Sequence, residues 1–206
     1  MKDINWDLRV IRTRESIREA FVELLEEKGF KAVTVKDITT RAKINRGTFY
    51  MHYQDKYDLM NRCQEEFLIE LSKIVKQKLP DVIDEYVNKQ PITTPFPVAV
   101  SIFEYLDKNR KFMKALLGPK GDSSFQIKMK EFMWKTLFED NQNPLIKQDH
   151  ALVPAEYFVS YVSSAHLGVI QQWLNGDRKE TPQEMARIIF TMTFHGPLFA
   201  IGLKQK

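Results

Sequence analysis

Between Thr34 and Lys56 the chain reads TVKDITTRAKINRGTFYMHYQDK, and its chemistry is that of hydrogen-bond donors and acceptors. Arg46, Gly47, Thr48 and Tyr50 stand close together, with His52 and Tyr53 at the end of the run. On a short helix these residues make an outward face that reads shape and hydrogen-bonding pattern, and Gly47 lets the backbone come near another surface. Such a face suits base edges in a major groove. Around it Thr34, Lys36, Lys43 and Lys56 are placed to meet phosphates. From Lys36 to Lys56 five Lys or Arg stand against two Asp. The same run also fits a helical hairpin whose charges are merely solvated, but turn, cap and face agree on the first reading.

Reaction chemistry finds no comparable constellation. Cys63 is the one cysteine, which rules out an intrachain disulfide and points to a reducing cytoplasm. HExxH, paired CxxC and a P-loop are absent, since Gly118–Gly121 lacks the GK[ST] ending. His52, His150, His166 and His195 have no metal-ligand spacing. The expectation is a protein without catalytic activity, metal or cofactor. Neither a secretory signal nor a membrane span is expected, because no long apolar run occurs. The net charge of +4 permits a nucleic-acid partner without demanding one.

The elements that must position the Thr34–Lys56 run are helical. Ile17, Ala20, Phe21, Leu24 and Leu25 form one stripe at helical spacing; Met60, Cys63, Phe67, Leu71 and Ile74 form another. Apolar residues make up 43% of 206 residues, enough for a full core. The expected fold class is all α, with about nine helices. Helix 1 runs from about Arg9 to Lys28 and stops at Gly29, a glycine that tolerates positive φ. Thr34 caps helix 2 with Asp37 three residues on, Lys43-Ile44-Asn45 is a turn, and helix 3 covers about Arg46–His52. Asn45 either takes a left-handed conformation or caps helix 3. Asp55 caps a helix reaching about Leu79, where Pro80 intervenes. Loops are expected at Gln90–Pro97, Gly118–Asp122 and Asn141–His150, and two long helices at Pro154–Asn175 and Pro182–Leu203. A three-helix N-terminal domain over 1–55 and a helical body over 56–206 follow.

The stretch Phe30–Met60 resembles the DNA-binding domain of the TetR/AcrR family. Phe30, Thr34-Val35, Asp37-Ile38, Ala42, Arg46-Gly47-Thr48-Phe49-Tyr50, His52-Tyr53, Lys56 and Leu59 follow that family's pattern. The resemblance implies a helix-turn-helix regulator, a homodimer on a palindromic operator in double-stranded DNA, and usually a repressor released by a small molecule. It implies that Thr34 and Lys36 sit by the DNA backbone, that Arg46, Gly47 and Thr48 face bases, and that Tyr50, His52 and Lys56 grip phosphates. This chain departs from the family by lacking a glycine in the turn; Lys43 there adds a possible phosphate contact beside Asn45. FMKALLGPKGDSSF and HLGVIQQWLNGD…TPQEMARI are similar to the C-terminal domain of one subgroup, which includes regulators near dihydroxyacetone-kinase genes.

In the body, the last two helices are apolar on more than one face and so must be buried on two sides. The simplest partner is the same pair from a second chain, with Tyr161, Ala165, Gly168, Val169, Trp173, Ile188 and Met192 in a four-helix interface. The centre of a monomer is the alternative. Phe103, Leu106, Met113, Phe132, Met133 and His166 are candidates to line a pocket for a small apolar effector. Aromatic and Met residues at this spacing fit ordinary core equally, and His166 fits a hydrogen-bonded core or interface histidine.

Overall fold

The computed structural model describes residues 8–88, 97–118, 124–139, 151–176 and 180–203, with side chains omitted over 78–88. Among them are ten α-helices and no strand. They are α1 (Leu8–Ala32), α2 (Val35–Arg41), α3 (Arg46–Tyr50), α4 (Lys56–Asn88), α5 (Pro97–Lys108), α6 (Arg110–Leu117), α7 (Ser124–Trp134), α8 (Ala155–Asn175), α9 (Pro182–Phe190) and α10 (Pro197–Ala200). None is long and apolar enough to cross a membrane. The loops expected at Gln90–Pro97 and Asn141–His150 and the turn at Gly118–Asp122 fall almost wholly outside the described residues.

Two compact units divide the chain: Met1–Phe67 with Lys111–Asp122, and Leu68–Arg110 with Ser123–Lys206. In the first, Ile17, Phe21, Val33, Ile38, Phe49 and Leu59 are wholly buried. Each such side chain contributes about 1.5–3 kcal/mol by leaving water. α1 departs from helical geometry at Gly29 (φ 76, ψ 160), the glycine expected to end it, and the chain then makes one more turn to Ala32. In the second unit Phe103 meets Trp173 edge-to-face at 5.4 Å. Val75, Val98 and Phe190 form a cluster flanked by Ile102 and Phe132. Arg110 donates to the carbonyls of Trp173 and Leu174 at 3.0 and 3.1 Å, satisfying the end of α8, and its guanidinium lies over the Trp173 ring.

Two expectations about helix ends are corrected. α4 continues through Pro80 to Asn88. A proline inside a helix removes one hydrogen bond but does not forbid the turns after it. The last helix does not run unbroken to Leu203. It widens into a π-helical turn at Thr191–His195, breaks at Gly196 (φ 84), and restarts at Pro197, which accounts for the tenth helix. Pro197 lacks the N–H that would continue the ladder.

Candidate nucleic-acid interface

The interface is built from caps. Thr34 Oγ1 accepts from Asp37 N at 3.2 Å, and Asp37 Oδ2 accepts from Thr34 N at 2.9 Å and from Thr34 Oγ1 at 2.6 Å. Lys28 adds an ion pair at 2.7 Å. The hydrogen bond from Lys28, then those from Thr34, hold the Asp37 carboxyl at about 2. Thr34 thereby spends its hydroxyl proton inside the cap and serves the interface by fixing the start of α2. Arg41, at the other end of α2, is bonded to Glu23 at 2.9 Å and to both Glu27 oxygens at 2.8 and 2.9 Å, which ties α2 to α1.

The turn after α2 has no glycine. Lys43 N donates to Thr40 O at 3.3 Å and Ile44 N to Thr39 O at 3.0 Å, the bond pair of a Schellman motif. That motif needs a left-handed residue just past the cap, and Lys43 supplies it with φ 55. Asn45 takes the other role open to it: extended at φ −81, ψ 160, it caps α3 by accepting from Thr48 N at 2.7 Å and Thr48 Oγ1 at 3.0 Å. Ser16 Oγ reaches Ala42 O at 3.2 Å and holds the turn against α1.

α3 presents Arg46, Gly47, Tyr50 and Met51 to solvent, with Lys36, Lys43 and Asn45 exposed around them. Thr48 and His52 are half-buried. Burial first, then the charge of Arg14, push the His52 imidazole below its ordinary value, so it meets a partner near neutral pH as an uncharged ring. Gly47 has a local reason to lack a side chain: a Cβ there would stand 3.2 Å from Asn45 Oδ1, against the cap. Tyr53 does not belong to the outward face. It is buried, with its ring against Phe49 at 5.7 Å and under the Arg62 guanidinium at 5.5 Å. Met51 is 79% exposed, although its residue type suggests core. Its position four residues after Gly47 places it on the same helical face. Lys56 is turned inward, its Nζ donating to the carbonyls of Phe30, Lys31 and Val33.

In the second unit, all seven interface candidates, Tyr161, Ala165, Gly168, Val169, Trp173, Ile188 and Met192, line one groove of about 940 Å³ between α8, α9 and the π-helical turn. His166 lies in the same groove, its Nε2 3.0 Å from Thr193 Oγ1, and burial pushes its ring below the ordinary value. The other pocket candidates are not brought together there. Phe103 and Leu106 are buried core, Phe132 packs beside the Val75 cluster, Met133 is half-buried, and Met113 is buried in the first unit.

Residues 17–63 match the family model described as bacterial regulatory proteins, tetR family. Residues 93–195, half of the chain, match the transcriptional regulator C-terminal region that accompanies it. The chain belongs to the TetR family of transcription regulators. Among curated relatives, this TetR-family chain is 43% identical over 60 residues to the uncharacterized HTH-type regulator YxbF of Bacillus subtilis, a match covering 29% of this chain and 16% of the relative. It is 25% identical over 134 residues to DhaS of Lactococcus lactis, described as the dhaKLM operon transcriptional activator, covering 64% of each. Matches to the first curated relatives thus span less than two thirds of their length. Among solved structures it is similar to NalD of Pseudomonas aeruginosa, with a TM-score of 0.64 at 19% identity, over 92% of this chain and 98% of that one. At such identity the likeness carries the fold alone. The dihydroxyacetone-kinase resemblance of the C-terminal segments agrees with DhaS being among the curated relatives.

Proposed function

We propose that this TetR-family regulator binds a palindromic operator in double-stranded DNA as a homodimer, as a repressor released by a small apolar effector. Residues 1–55 read the DNA, and residues 56–206 dimerise and hold the effector. The protein works in the cytoplasm, where its operator is. The carrying observation is the exposed face of α3, with Arg46, Gly47, Tyr50 and Met51 outward and Lys36 and Lys43 beside it. Arg46 is the residue for a base edge, since a guanidinium matches guanine O6 and N7 with two bonds. Met51 offers an apolar contact of the kind a thymine methyl accepts. Tyr50 and His52 donate to phosphates as neutral groups, and Lys36 and Lys43 add charge. Asn45 and Thr48 act chiefly through their mutual cap.

Support for the dimer comes from the groove on α8 and α9, where Tyr161 is 62%, Met192 39% and Ile188 38% exposed beside Ala165 and Gly168. Large apolar side chains around small ones suit another helix pair related by a two-fold axis. Support for repression comes from the relatives DhaR of Mycobacterium and BepR of Brucella suis, both described as repressors. DhaS, described as an activator, is the counter-example. The test is selection of bound duplexes from a random pool. Inverted half-sites one helical turn, about 10–10.5 base pairs, or a multiple of it apart are expected; a single unpaired site, or no enrichment, defeats the reading.

A further inference from the structure

We infer that Lys56 is a positioning residue that sets the geometry of the helix-turn-helix from inside, and not a phosphate contact. The inference rests on the DNA-reading role proposed for α2 and α3. Lys56 is the first residue of α4, and its Nζ lies 3.0 Å from Phe30 O, 3.0 Å from Lys31 O and 2.8 Å from Val33 O. An ammonium has three protons, and three carbonyls accept here, so every donor is engaged within the protein. The rings of Phe30 and Tyr57 stand 5.0 and 5.4 Å from the charge and add cation–π attraction.

The three carbonyls belong to the segment that follows the break at Gly29, where the last carbonyls of a helix have no intrahelical donor. Val33 directly precedes the Thr34 cap of α2. At the other end of the motif, Lys56 follows Asp55, whose Oδ1 caps α4 by accepting from Tyr57 N and Asp58 N at 2.8 Å. The chain from Thr34 to Asp55, which holds α2, the turn and α3, is therefore closed at its base by one side chain. A phosphate could recruit this ammonium only by taking protons from carbonyls that would then be left unpaired. Removing it frees the α1–α2 junction, and with it the orientation of both helices.

The experiment compares Lys56→Met, Lys56→Arg, Lys36→Met and Arg46→Ala on a duplex selected with the wild-type protein, by affinity across a salt series and by amide hydrogen exchange without DNA. Lys56→Met is expected to lose about tenfold or more in affinity, which corresponds to about 1.4 kcal/mol. Its slope of log affinity against log salt stays at the wild-type value, and exchange quickens over Lys31–Val35. Lys36→Met is expected to lower that slope by about 0.9, the share of one phosphate contact, with exchange unchanged. Lys56→Arg keeps the charge but presents a planar fork that cannot converge on three carbonyls, so it too loses affinity; guanidinium is a strong phosphate ligand and would rescue a phosphate contact. Wild-type affinity in Lys56→Arg overturns the positioning role. So does a slope lowered by about 0.9 in Lys56→Met with wild-type exchange. If Arg46→Ala and Lys36→Met both bind like wild type, the DNA-reading assignment fails first and the positioning role falls with it.

Discussion

Arg46 opens α3 with its side chain in solvent, next to a glycine and before the half-buried Thr48. A base-reading guanidinium contributes discrimination, so Arg46→Ala should weaken binding to a selected operator by about 1–3 kcal/mol while non-specific DNA binds almost as before. Equal losses on both DNAs, measured by competition titration, would make Arg46 a phosphate residue instead. Lys43 poses a different question, because it holds a backbone conformation that lysine disfavours. A left-handed residue with a Cβ costs about 1–2 kcal/mol, and glycine loses about 0.5–1 kcal/mol more chain entropy on folding. Lys43→Gly should therefore stabilise the protein by about 1 kcal/mol or less, seen as a higher urea midpoint at unchanged slope. The same change removes an exposed charge beside α3, so affinity for DNA should fall as stability rises. A variant equally tight on DNA at all salt concentrations would show that Lys43 is retained for no phosphate.

The N-termini of α2, α3, α4 and α9 are closed by side chains, and α2 is the best example. Its capping box depends on an ionised Asp37, whose folded value of about 2 lies below the ordinary 3.8. A group depressed in the folded state contributes stability above its unfolded value and loses it as pH falls through the folded one. The contribution of Asp37 is thus complete above about pH 4 and disappears toward pH 2. The urea midpoints of wild type and Asp37→Asn should differ at neutral pH and converge over that window. A difference that persists unchanged at the acid end would mean that the carboxylate charge is not what holds the cap. The same design recurs at α9, where Thr181 and Glu184 form a capping box and Pro182 occupies the first turn. α8 and α9, linked by a short connection, owe part of their register to it, since Trp173 Nε1 also donates to Glu180 O at 3.1 Å just before that cap.

For the whole molecule, the surface proposed for the dimer is the α8–α9 groove. Ala165 and Gly168 are exposed within it, and a Cβ on Gly168 meets nothing within 4 Å in a single chain. A glutamate at either position therefore leaves the isolated subunit sound and places an uncompensated charge where a second copy would pack. Ala165→Glu and Gly168→Glu should sediment as folded monomers, with unchanged helical content, and lose operator binding because one recognition helix cannot span two half-sites. Dimers of normal stability from both variants would remove this face from the interface. His166 in the same groove, paired with Thr193, matches a hydrogen-bonded interface histidine as well as it does a ligand contact.

Local chemistry made much of this legible before any coordinates. The caps at Thr34, Asn45 and Asp55 and the glycine ending α1 act over three or four residues, so residue type and spacing determine them. The helical class followed from stripes of the same short period, and the recognition face from residues on one short helix. Tertiary structure decided what depends on distant partners. Only the fold brings the Lys56 ammonium to carbonyls 23 to 26 residues earlier. Tyr53 moved from the face to the core because Phe49 and Arg62 enclose it. Phe103, Leu106 and Phe132 could have lined a cavity or filled one, since an apolar side chain has the same sequence signature in both cases. Packing against residues such as Trp173 and Phe190, tens of positions away, drew them to the core, and left the groove to the small and aromatic residues of α8 and the aliphatic ones of α9.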